Sequence, residues 1–240
     1  MTGDNPEPIQ GLPPVEVLPS LSERVYVALK QSIAEQKLKP GSKLSVPRLA
    51  AALGVSRTPV KEALERLAQD GLVTMLPNRG AYVAILRWED VNEIYQMREM
   101  LEGLATRLAA DRMDDELLRR LRDLLQQGES AVRRRDIDAH IRIDLEFHRL
   151  IRARGGNRRL VRALDNLQDQ IRIVFRTSAT IPGRMPKALE EHRRILAALA
   201  AADPDQAERA ARDHVRRIRE AVLAHMRAAE GAERPLADSH

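Results

Sequence analysis

The spacing of apolar residues between positions 88 and 230 constrains the fold of this chain more than any other feature. These residues recur every three or four positions, which is the period of a helix with one buried face, and no segment shows the alternation typical of a strand. Five short breaks divide the region into six helical segments: at Asp114, at Asp136, at 155–157, at 181–186 and at 203–204. Because short connections between long helices favour antiparallel neighbours, the sequence predicts an antiparallel bundle of about six helices.

Residues 20–87 follow a different pattern of short elements. Helical periodicity covers LSERVYVALKQSIAEQK, SVPRLAAAL and SRTPVKEALERLAQD, with Ser22 and Ser56 as N-cap residues, and KPGSKL is interpreted as a turn. The β-rich runs LVTML and AYVAI flank the turn PNRG, which predicts a hairpin. Two short helices across a glycine-centred turn, followed by a hairpin, form the outline of a winged helix-turn-helix. The expected fold is therefore mainly α, with a small β-hairpin wing.

Charge and composition suggest four stretches: a disordered tail at 1–19, the winged segment at 20–87, the helical domain at 88–230 and a tail at 231–240. The winged segment carries 11 Lys or Arg against 5 Asp or Glu, whereas the chain after it carries 29 against 27. Such a basic excess suits an anionic partner. The chain has no cysteine, which excludes disulfides and thiolate metal sites, and no run of membrane-spanning length or signal segment. A cytoplasmic protein with no membrane partner is expected.

The second helix of the predicted helix-turn-helix places Ser56, Arg57, Thr58 and Lys61 at its N-terminus, where the helix dipole favours phosphate. Arg79 lies at the tip of the hairpin, within reach of a groove or the DNA backbone. This arrangement is typical of a helix that reads DNA. One small winged domain makes few contacts, so a homodimer on an inverted repeat of double-stranded operator DNA is expected.

The stretches GVSRTPVKEALERLAQDGLV and NRGAYV resemble the DNA-binding domain of the GntR family of bacterial transcription regulators. The resemblance covers residues 22–86 and implies that Arg57, Thr58 and Lys61 contact bases or phosphates and that Gly80 lies at the wing tip. Lys61 stands where arginine is commoner in the family. Some relatives have an arginine at the position of Pro47, and here Arg48 lies beside it as the candidate contact.

Polar residues occupy the predicted buried faces of three bundle helices. Asp144 and His148 continue the apolar stripe of one helix, and His192 and His214 do so in two later helices. Burying four such groups without partners is costly. Asp144 and His148 are four residues apart, so both reach one ion from the same helix face. Three imidazoles and one carboxylate suit a divalent transition metal, with Zn²⁺ expected and Ni²⁺ or another first-row ion as alternatives.

The remaining histidines fit this site less well. His140 and His225 lie about 12 Å and 16 Å along their helix axes from His148 and His214, and His240 ends the chain. For any single core histidine, a hydrogen-bonded structural role is the alternative. Arg98 also lies on an inward stripe, and an inward guanidinium needs either an anionic ligand or a neighbouring carboxylate such as Glu102.

The stretches YQMREMLEGLATRLAA, DLEFH, GGNRRL, EEHRRIL and ARDHV resemble the ligand-binding FCD domain of the FadR subfamily of GntR regulators, in its shorter VanR-like branch. The resemblance spans nearly all of 88–226. It implies that the metal ligands are Asp144, His148, His192 and His214. It also implies that Arg98 corresponds to the family arginine associated with an acidic effector.

The leading hypothesis is a DNA-binding transcription regulator, with repression as the expected mode. Its operator binding would respond to a small carboxylate or sugar-acid effector held at the divalent-metal site. A metal-dependent hydrolase is the alternative from another class, since such a site can activate water. The inward stripes offer no spare carboxylate as general base except Glu102, and a hydrolase would leave the winged segment unexplained. A regulator with a purely structural metal and no effector is the third hypothesis.

Overall fold

The computed structural model describes residues 19–174 and 179–233, so nearly all of the predicted tails at 1–19 and 231–240 lies outside the described residues. The winged segment has the following elements: α1 (Leu21–Ala34), β1 (Lys43–Leu44), α2 (Val46–Leu53), α3 (Arg57–Gln69), β2 (Val73–Leu76) and β3 (Gly80–Val83). The three strands form one antiparallel sheet in the order β1-β3-β2. Apolar side chains of the helices and the sheet share one core, which contains Ile33, Leu44, Leu64, Leu67 and Val83.

Two local predictions for this segment are wrong. The KPGSKL stretch contains β1 rather than only a turn, because Lys43 pairs with Tyr82 of β3. The N-cap of α1 is Ser20, whose hydroxyl accepts a hydrogen bond of 3.1 Å from the Glu23 amide. The hydroxyl of Ser22 instead donates to Glu62 of α3. The first difference arises from strand pairing between residues distant in sequence, and the second is a shift of two residues in where the helix begins.

The helix-turn-helix geometry depends on Gly54, which ends α2 with a φ of 66°. A residue without a Cβ adopts this left-handed conformation at little cost, so the chain reverses sharply into α3. Ser56 occupies the N-cap position of α3, although its side chain makes no capping hydrogen bond. The buried face of α3, formed by residues including Val60, Leu64 and Leu67, leaves the N-terminal end of the helix facing outward.

After residue 87 the described chain forms the six predicted bundle helices: α4 (Trp88–Ala110), α5 (Asp115–Arg134), α6 (Ile137–Gly155), α7 (Arg158–Val174), α8 (Arg184–Ala200) and α9 (Pro204–Glu233). The predicted fold class is therefore confirmed. Asp114 and Asp136 cap α5 and α6 through their carboxylates, as expected for residues at helix starts. Helix α4 packs along both α9 and α6. No helix among the described residues is long and apolar enough to cross a bilayer.

One glycine sets how closely α6 approaches α4. A Cβ on Gly155 would lie 2.9 Å from the carbonyl oxygen of Ala105, closer than real side chains come. Only glycine therefore permits this contact between the two helices. The close approach brings the inward faces of α4 and α6 together one to two turns before Gly155, where His148 lies.

The winged segment contacts the bundle through α7. Lys30 of α1 forms an ion pair with Asp169, and the side-chain amide of Asn166 donates to the carbonyl of Asp70 at 3.3 Å. At the covalent junction, Trp88 is the first residue of α4, and the guanidinium carbon of Arg227 in α9 lies 4.8 Å from the centre of its ring. The first two contacts join the winged segment to α7, and the third joins the start of α4 to α9.

Candidate functional site

Three bundle helices bring together four side chains of types that can ligate a metal. Asp144 and His148 lie one turn apart on α6, His192 lies in the middle of α8, and His214 lies on α9. One ligand atom from each of the four lies within 4.8 Å of every other. The three imidazoles are buried, whereas 33% of the Asp144 side chain is exposed. The predicted inward stripe of α6 thus has its carboxylate at the edge of the core rather than fully within it.

The distances from His192 to the other three side chains match those between ligands of one first-row metal ion. The Nε2 atom of His192 lies 3.1 Å from Nε2 of His148 and 3.3 Å from Nε2 of His214. The same atom lies 3.4 Å from Oδ1 of Asp144. Zn–N bonds of about 2.0–2.1 Å place neighbouring ligand atoms roughly 3.0–3.4 Å apart. Nε2 of His192 is therefore spaced from each of the other three donor atoms as neighbouring ligands of one ion are.

The electrostatics of the cluster favour the forms that bind metal. Burial lowers the pKa of His148 and of His214 well below the ordinary histidine value, and it lowers the pKa of His192 as well. Partial burial raises the pKa of Asp144, but the neighbouring His148 and His192 outweigh this effect and hold the pKa below its ordinary value. Neutral imidazoles and an ionised carboxylate are the species that ligate a metal.

A buried ion pair orients His214. Glu191 accepts a hydrogen bond of 2.8 Å from Nδ1 of His214, so the proton lies on Nδ1 and the lone pair of Nε2 points into the cluster. Arg184 holds the same carboxylate with two hydrogen bonds, of 3.1 Å and 2.5 Å. Both Arg184 and Glu191 are 4% exposed. The pair thus fixes the direction from which His214 meets an ion.

This pair was not predicted, although the sequence carries a pattern that indicates it. Only the stripe of α8 that contains His192 was considered. A second stripe runs beside it on α8, and its members are all buried: Arg184, Ala188, Glu191, Ile195 and Ala198. The spacing of four, three, four and three therefore indicated that two charged residues face inward and require partners.

A second buried carboxylate, Glu102 on α4, lies on the other side of the cluster. Its Oε2 is 3.7 Å from Nδ1 of His148, and its Oε1 is 3.2 Å from Nη2 of Arg98. Arg98 is 6% exposed and lies over the ring of Tyr95, and its Nε has no hydrogen-bond partner among the described residues. Arg98 thus has the neighbouring carboxylate that the sequence suggested, and its Nε–H still lacks an acceptor. Arg152 also approaches Glu102, at 3.9 Å.

The other histidines lie elsewhere. His140 is buried on α6 but does not belong to the group of four, and burial lowers its pKa. His225 is exposed on α9, and His240 lies outside the described residues.

The DNA-contacting candidates are all exposed residues of the winged segment, and they comprise Arg48, Ser56, Arg57, Thr58, Lys61, Arg79 and Gly80. Gly80 has a φ of 94°, which the tight turn of the wing requires. Arg48, Arg57, Lys61 and Arg79 form no ion pair with another residue in the described part of the chain. By contrast, Arg66 and Lys30 are paired with Glu23 and Asp169. The charges of the first four therefore remain available to an anionic partner.

Comparison with known proteins agrees with both halves of this description. Residues 21–83 match the bacterial regulatory proteins of the gntR family, and residues 93–217 match the FCD domain. The chain is 36% identical over 171 residues to the HTH-type transcriptional regulator YdhC of Bacillus subtilis, covering 71% of this chain and 76% of that protein. It is 28% identical over 205 residues to the HTH-type transcriptional repressor RspR of Escherichia coli, covering 84% and 89%.

A solved structure, that of E. coli McbR/YncC, superposes with a TM-score of 0.71 at 26% identity and covers 89% of this chain and all of that one. The matched families and relatives are regulators of transcription, which excludes the hydrolase alternative. The chain therefore belongs to the GntR family of bacterial transcription regulators, in the FadR-like group whose members join a DNA-binding winged segment to an FCD domain.

Proposed function

We propose that this regulator is a dimeric repressor whose affinity for operator DNA is set by a small carboxylate or sugar acid bound at a divalent-metal site in the bundle. The observation that carries the proposal is the convergence of Asp144, His148, His192 and His214 beside a buried arginine, Arg98. A cluster of metal ligands alone fits a structural ion. A buried guanidinium beside the cluster, with one N–H that lacks an acceptor, favours a site that also binds an anion.

The four clustered side chains would hold the ion, and Zn²⁺ suits three nitrogen donors and one carboxylate. When bound, the ion would offer open coordination positions to a carboxylate oxygen. Glu191 keeps the lone pair of His214 directed inward, and Arg98 supplies a fixed positive charge near the ligand. The metal and the arginine together would select small acids over neutral molecules.

Exposed residues of the winged segment, most of them cations, would bind the operator. Arg57, Thr58 and Lys61 lie where a recognition helix enters the major groove, with Ser56 beside them. Arg48 on α2 and Arg79 with Gly80 on the wing would contact the flanking backbone or minor groove. The name of the E. coli relative RspR, a repressor, supports repression as the mode.

The structure offers a route from the site to the winged segment. Arg152 lies between Glu102 at the site and Asp165 on α7, at 3.9 Å and 3.8 Å. The next residue, Asn166, and Asp169 one turn further along α7 contact the winged segment. A ligand that changes the charge balance around Glu102 would therefore shift the position of α7. Regulation requires such an element, whose equilibrium between two positions a ligand can shift.

The effector proposal is tested by a thermal-shift screen of small carboxylates and sugar acids, with and without a chelator, followed by the Arg98→Lys variant. Lysine keeps the charge beside Glu102 but loses the planar fork that holds a carboxylate. We expect the acid found in the screen to release operator DNA from the wild-type protein, and at least about a tenfold higher concentration to be needed for Arg98→Lys. Metal content and operator affinity without the acid should stay unchanged.

The matched control is Arg107→Lys, because Arg107 lies on the same helix but faces outward and pairs with Asp205. Its response to the acid should equal that of the wild type. If Arg98→Lys responds at the same acid concentration as the wild-type protein, Arg98 does not bind the effector. If no acid changes operator binding in the presence of metal, the metal is structural only.

The dimer is expected to form through α4. Met97, Met100 and Leu104 are 55%, 54% and 41% exposed, and their spacing places them on one face of that helix. An exposed apolar stripe of this kind suits a second copy of the chain. In a twofold interface each substitution acts twice. We therefore expect Met100→Glu to weaken self-association at least about tenfold in sedimentation velocity.

The control for this measurement is Met75→Glu, since Met75 on the wing is 49% exposed but remote from α4. It should sediment as the wild type does. A Met100→Glu protein that remains a dimer at the same concentrations would place the interface elsewhere.

A further inference from the structure

A groove with a volume of about 670 Å³ lies where α6 ends and α7 begins. Its wall contains the glycine-rich connection between the two helices and four arginines: Arg112, Arg158, Arg159 and Arg162. None of the described residues that line the groove is acidic. Small-molecule sites usually have volumes of about 300–1,000 Å³. The groove therefore has the size of a small-molecule site and a wall that carries four positive charges.

Most of this charge comes from one stretch of the sequence. Residues 147–164 contain six arginines and no acidic residue. Three of the six are paired with carboxylates, namely Arg149, Arg152 and Arg154. The other three line the groove, are exposed and form no ion pair within the described ranges of the chain. The packing of the helices thus neutralises half of the stretch and leaves the charges of the other half at the groove.

The backbone of the connection holds the fourth arginine in place. Nη1 of Arg112 donates a hydrogen bond of 2.6 Å to the carbonyl of Gly155, the last residue of α6. The next residue, Gly156, has a φ of 71°, and a Cβ at this position would collide with the same nitrogen. Glycine therefore leaves the room that the guanidinium occupies. A carbonyl orients Arg112 without neutralising it, so its charge remains available to an anion.

The number of charges restricts the occupant of the groove. Positive charges gathered at one place repel each other unless an anion lies between them. A phosphate ester carries a charge of about −1.5 to −2 at pH 7, so two phosphates offset four arginines, whereas one carboxylate offsets only one. The guanidinium fork also binds phosphate oxygens through two parallel N–H donors. The groove therefore suits a small molecule with two phosphate groups.

The position of α7 favours such a molecule over the operator. Asn166 of α7 contacts Asp70, which directly follows α3. Arg57, the candidate base-reading residue, is at the other end of this 13-residue helix, which is about 20 Å long. The groove is further along α7 from this contact, since Arg158 precedes Asn166 by about 12 Å along the helix axis. The candidate recognition residues and the groove are therefore well separated.

We propose that this groove binds a small molecule with two phosphate groups, and that Arg112, Arg158, Arg159 and Arg162 bind its phosphates. The site differs from the metal cluster, because Gly155 lies about 10 Å along α6 from His148. Binding here does not require the carboxylate effector proposed above. The regulator would then have two ligand sites in the bundle, one for a small acid and one for a phosphorylated molecule.

The test uses the full-length, zinc-loaded protein in isothermal titration calorimetry at one fixed salt concentration. The probe is fructose 1,6-bisphosphate, and fructose is the matched sugar without phosphates. We expect the bisphosphate to bind and fructose not to bind. The double variant Arg158→Gln/Arg159→Gln removes two of the four charges and should weaken the bisphosphate at least about tenfold. Inorganic phosphate should bind the wild-type protein more weakly than the bisphosphate, because it offers only one phosphate group.

The matched control is the double variant Arg122→Gln/Arg134→Gln. It also removes two exposed arginines, but these lie on α5 and do not line the groove. Its affinity for the bisphosphate should equal that of the wild type. Should Arg158→Gln/Arg159→Gln fail to fold, as judged by circular dichroism, the single variant Arg162→Gln decides, with an expected loss of at least about threefold.

Several results would overturn the proposal. One is a wild-type protein that does not bind the bisphosphate, or that binds inorganic phosphate equally well. Another is a groove variant that binds the bisphosphate as tightly as the control does. If His192→Ala abolishes bisphosphate binding and the groove variant does not, the probe binds at the metal cluster instead. If the groove variant loses operator affinity in fluorescence anisotropy while the bisphosphate does not bind the wild type, the occupant of the groove is DNA.

Discussion

The His192→Ala variant should lose its metal ion, and zinc should no longer raise its melting temperature. His192 touches every other member of the cluster, lies 4.6 Å from the ring of Phe147 and is 2% exposed. Its removal leaves three ligands around an enlarged, poorly shaped site. A metal present at about a thousandfold excess over its dissociation constant stabilises a fold by about 4 kcal/mol, and the variant should lose that increment. Elemental analysis of untagged protein should find about one ion per wild-type chain and almost none in the variant.

The control for this experiment is His225→Ala, which removes an exposed histidine from α9. It should retain both the ion and the rise in melting temperature with zinc. A His192→Ala protein that still holds one ion per chain, removable by a chelator, would show that the metal lies elsewhere. If zinc does not change the melting temperature of the wild-type protein, hydrogen bonds alone hold the cluster together.

The second large effect is expected for Arg57→Ala on operator binding. Arg57 is the first residue of α3, is exposed and has no ion-pair partner among the described residues. Loss of an arginine that reads a base edge costs about 1–3 kcal/mol, which corresponds to roughly 5- to 150-fold weaker binding. Fluorescence anisotropy with labelled operator at one fixed salt concentration measures this change. Equal losses on operator and on unrelated DNA would identify a phosphate contact instead.

Arg66→Ala is the matched control, because Arg66 lies on the same helix but faces away from the candidate DNA surface. It pairs with Glu23, and its guanidinium carbon lies 3.9 Å from the centre of the Tyr26 ring. The substitution should leave operator affinity nearly unchanged. If Arg66→Ala weakens binding as much as Arg57→Ala does, the effect comes from the fold of the winged segment rather than from a contact.

The sequence predicted the bundle and the meeting of the four ligands because both depend on periodicity within single helices. A polar residue at a buried position of the repeat, such as His148 or His214, is visible without knowledge of its neighbours. By contrast, β1 exists only through its pairing with β3, and its two residues carry no signal of their own. The sequence also offers no clear choice between Ser20 and Ser22 as N-cap, since both precede a helical run within three residues of each other.

The buried pair formed by Arg184 and Glu191 was missed for a related reason. Glu191 follows another glutamate and precedes His192 in a stretch rich in arginine, which is typical of a solvated helix face. Its burial depends on partners from elsewhere, namely Arg184 two turns earlier and His214 on α9. Ion pairing makes such burial possible, and pairing is a property of the assembled helices rather than of any local stretch.

The position of the only tryptophan in the chain has a practical consequence. Trp88 stands where the winged segment joins α4, and Arg227 of α9, the helix that carries His214, lies over its ring. The fluorescence of an indole depends on what lies against it. Its emission therefore serves as an unlabelled optical probe at the joint between the winged segment and the bundle. If an acid moves that joint, as proposed, stopped-flow mixing would time the movement in the absence of DNA.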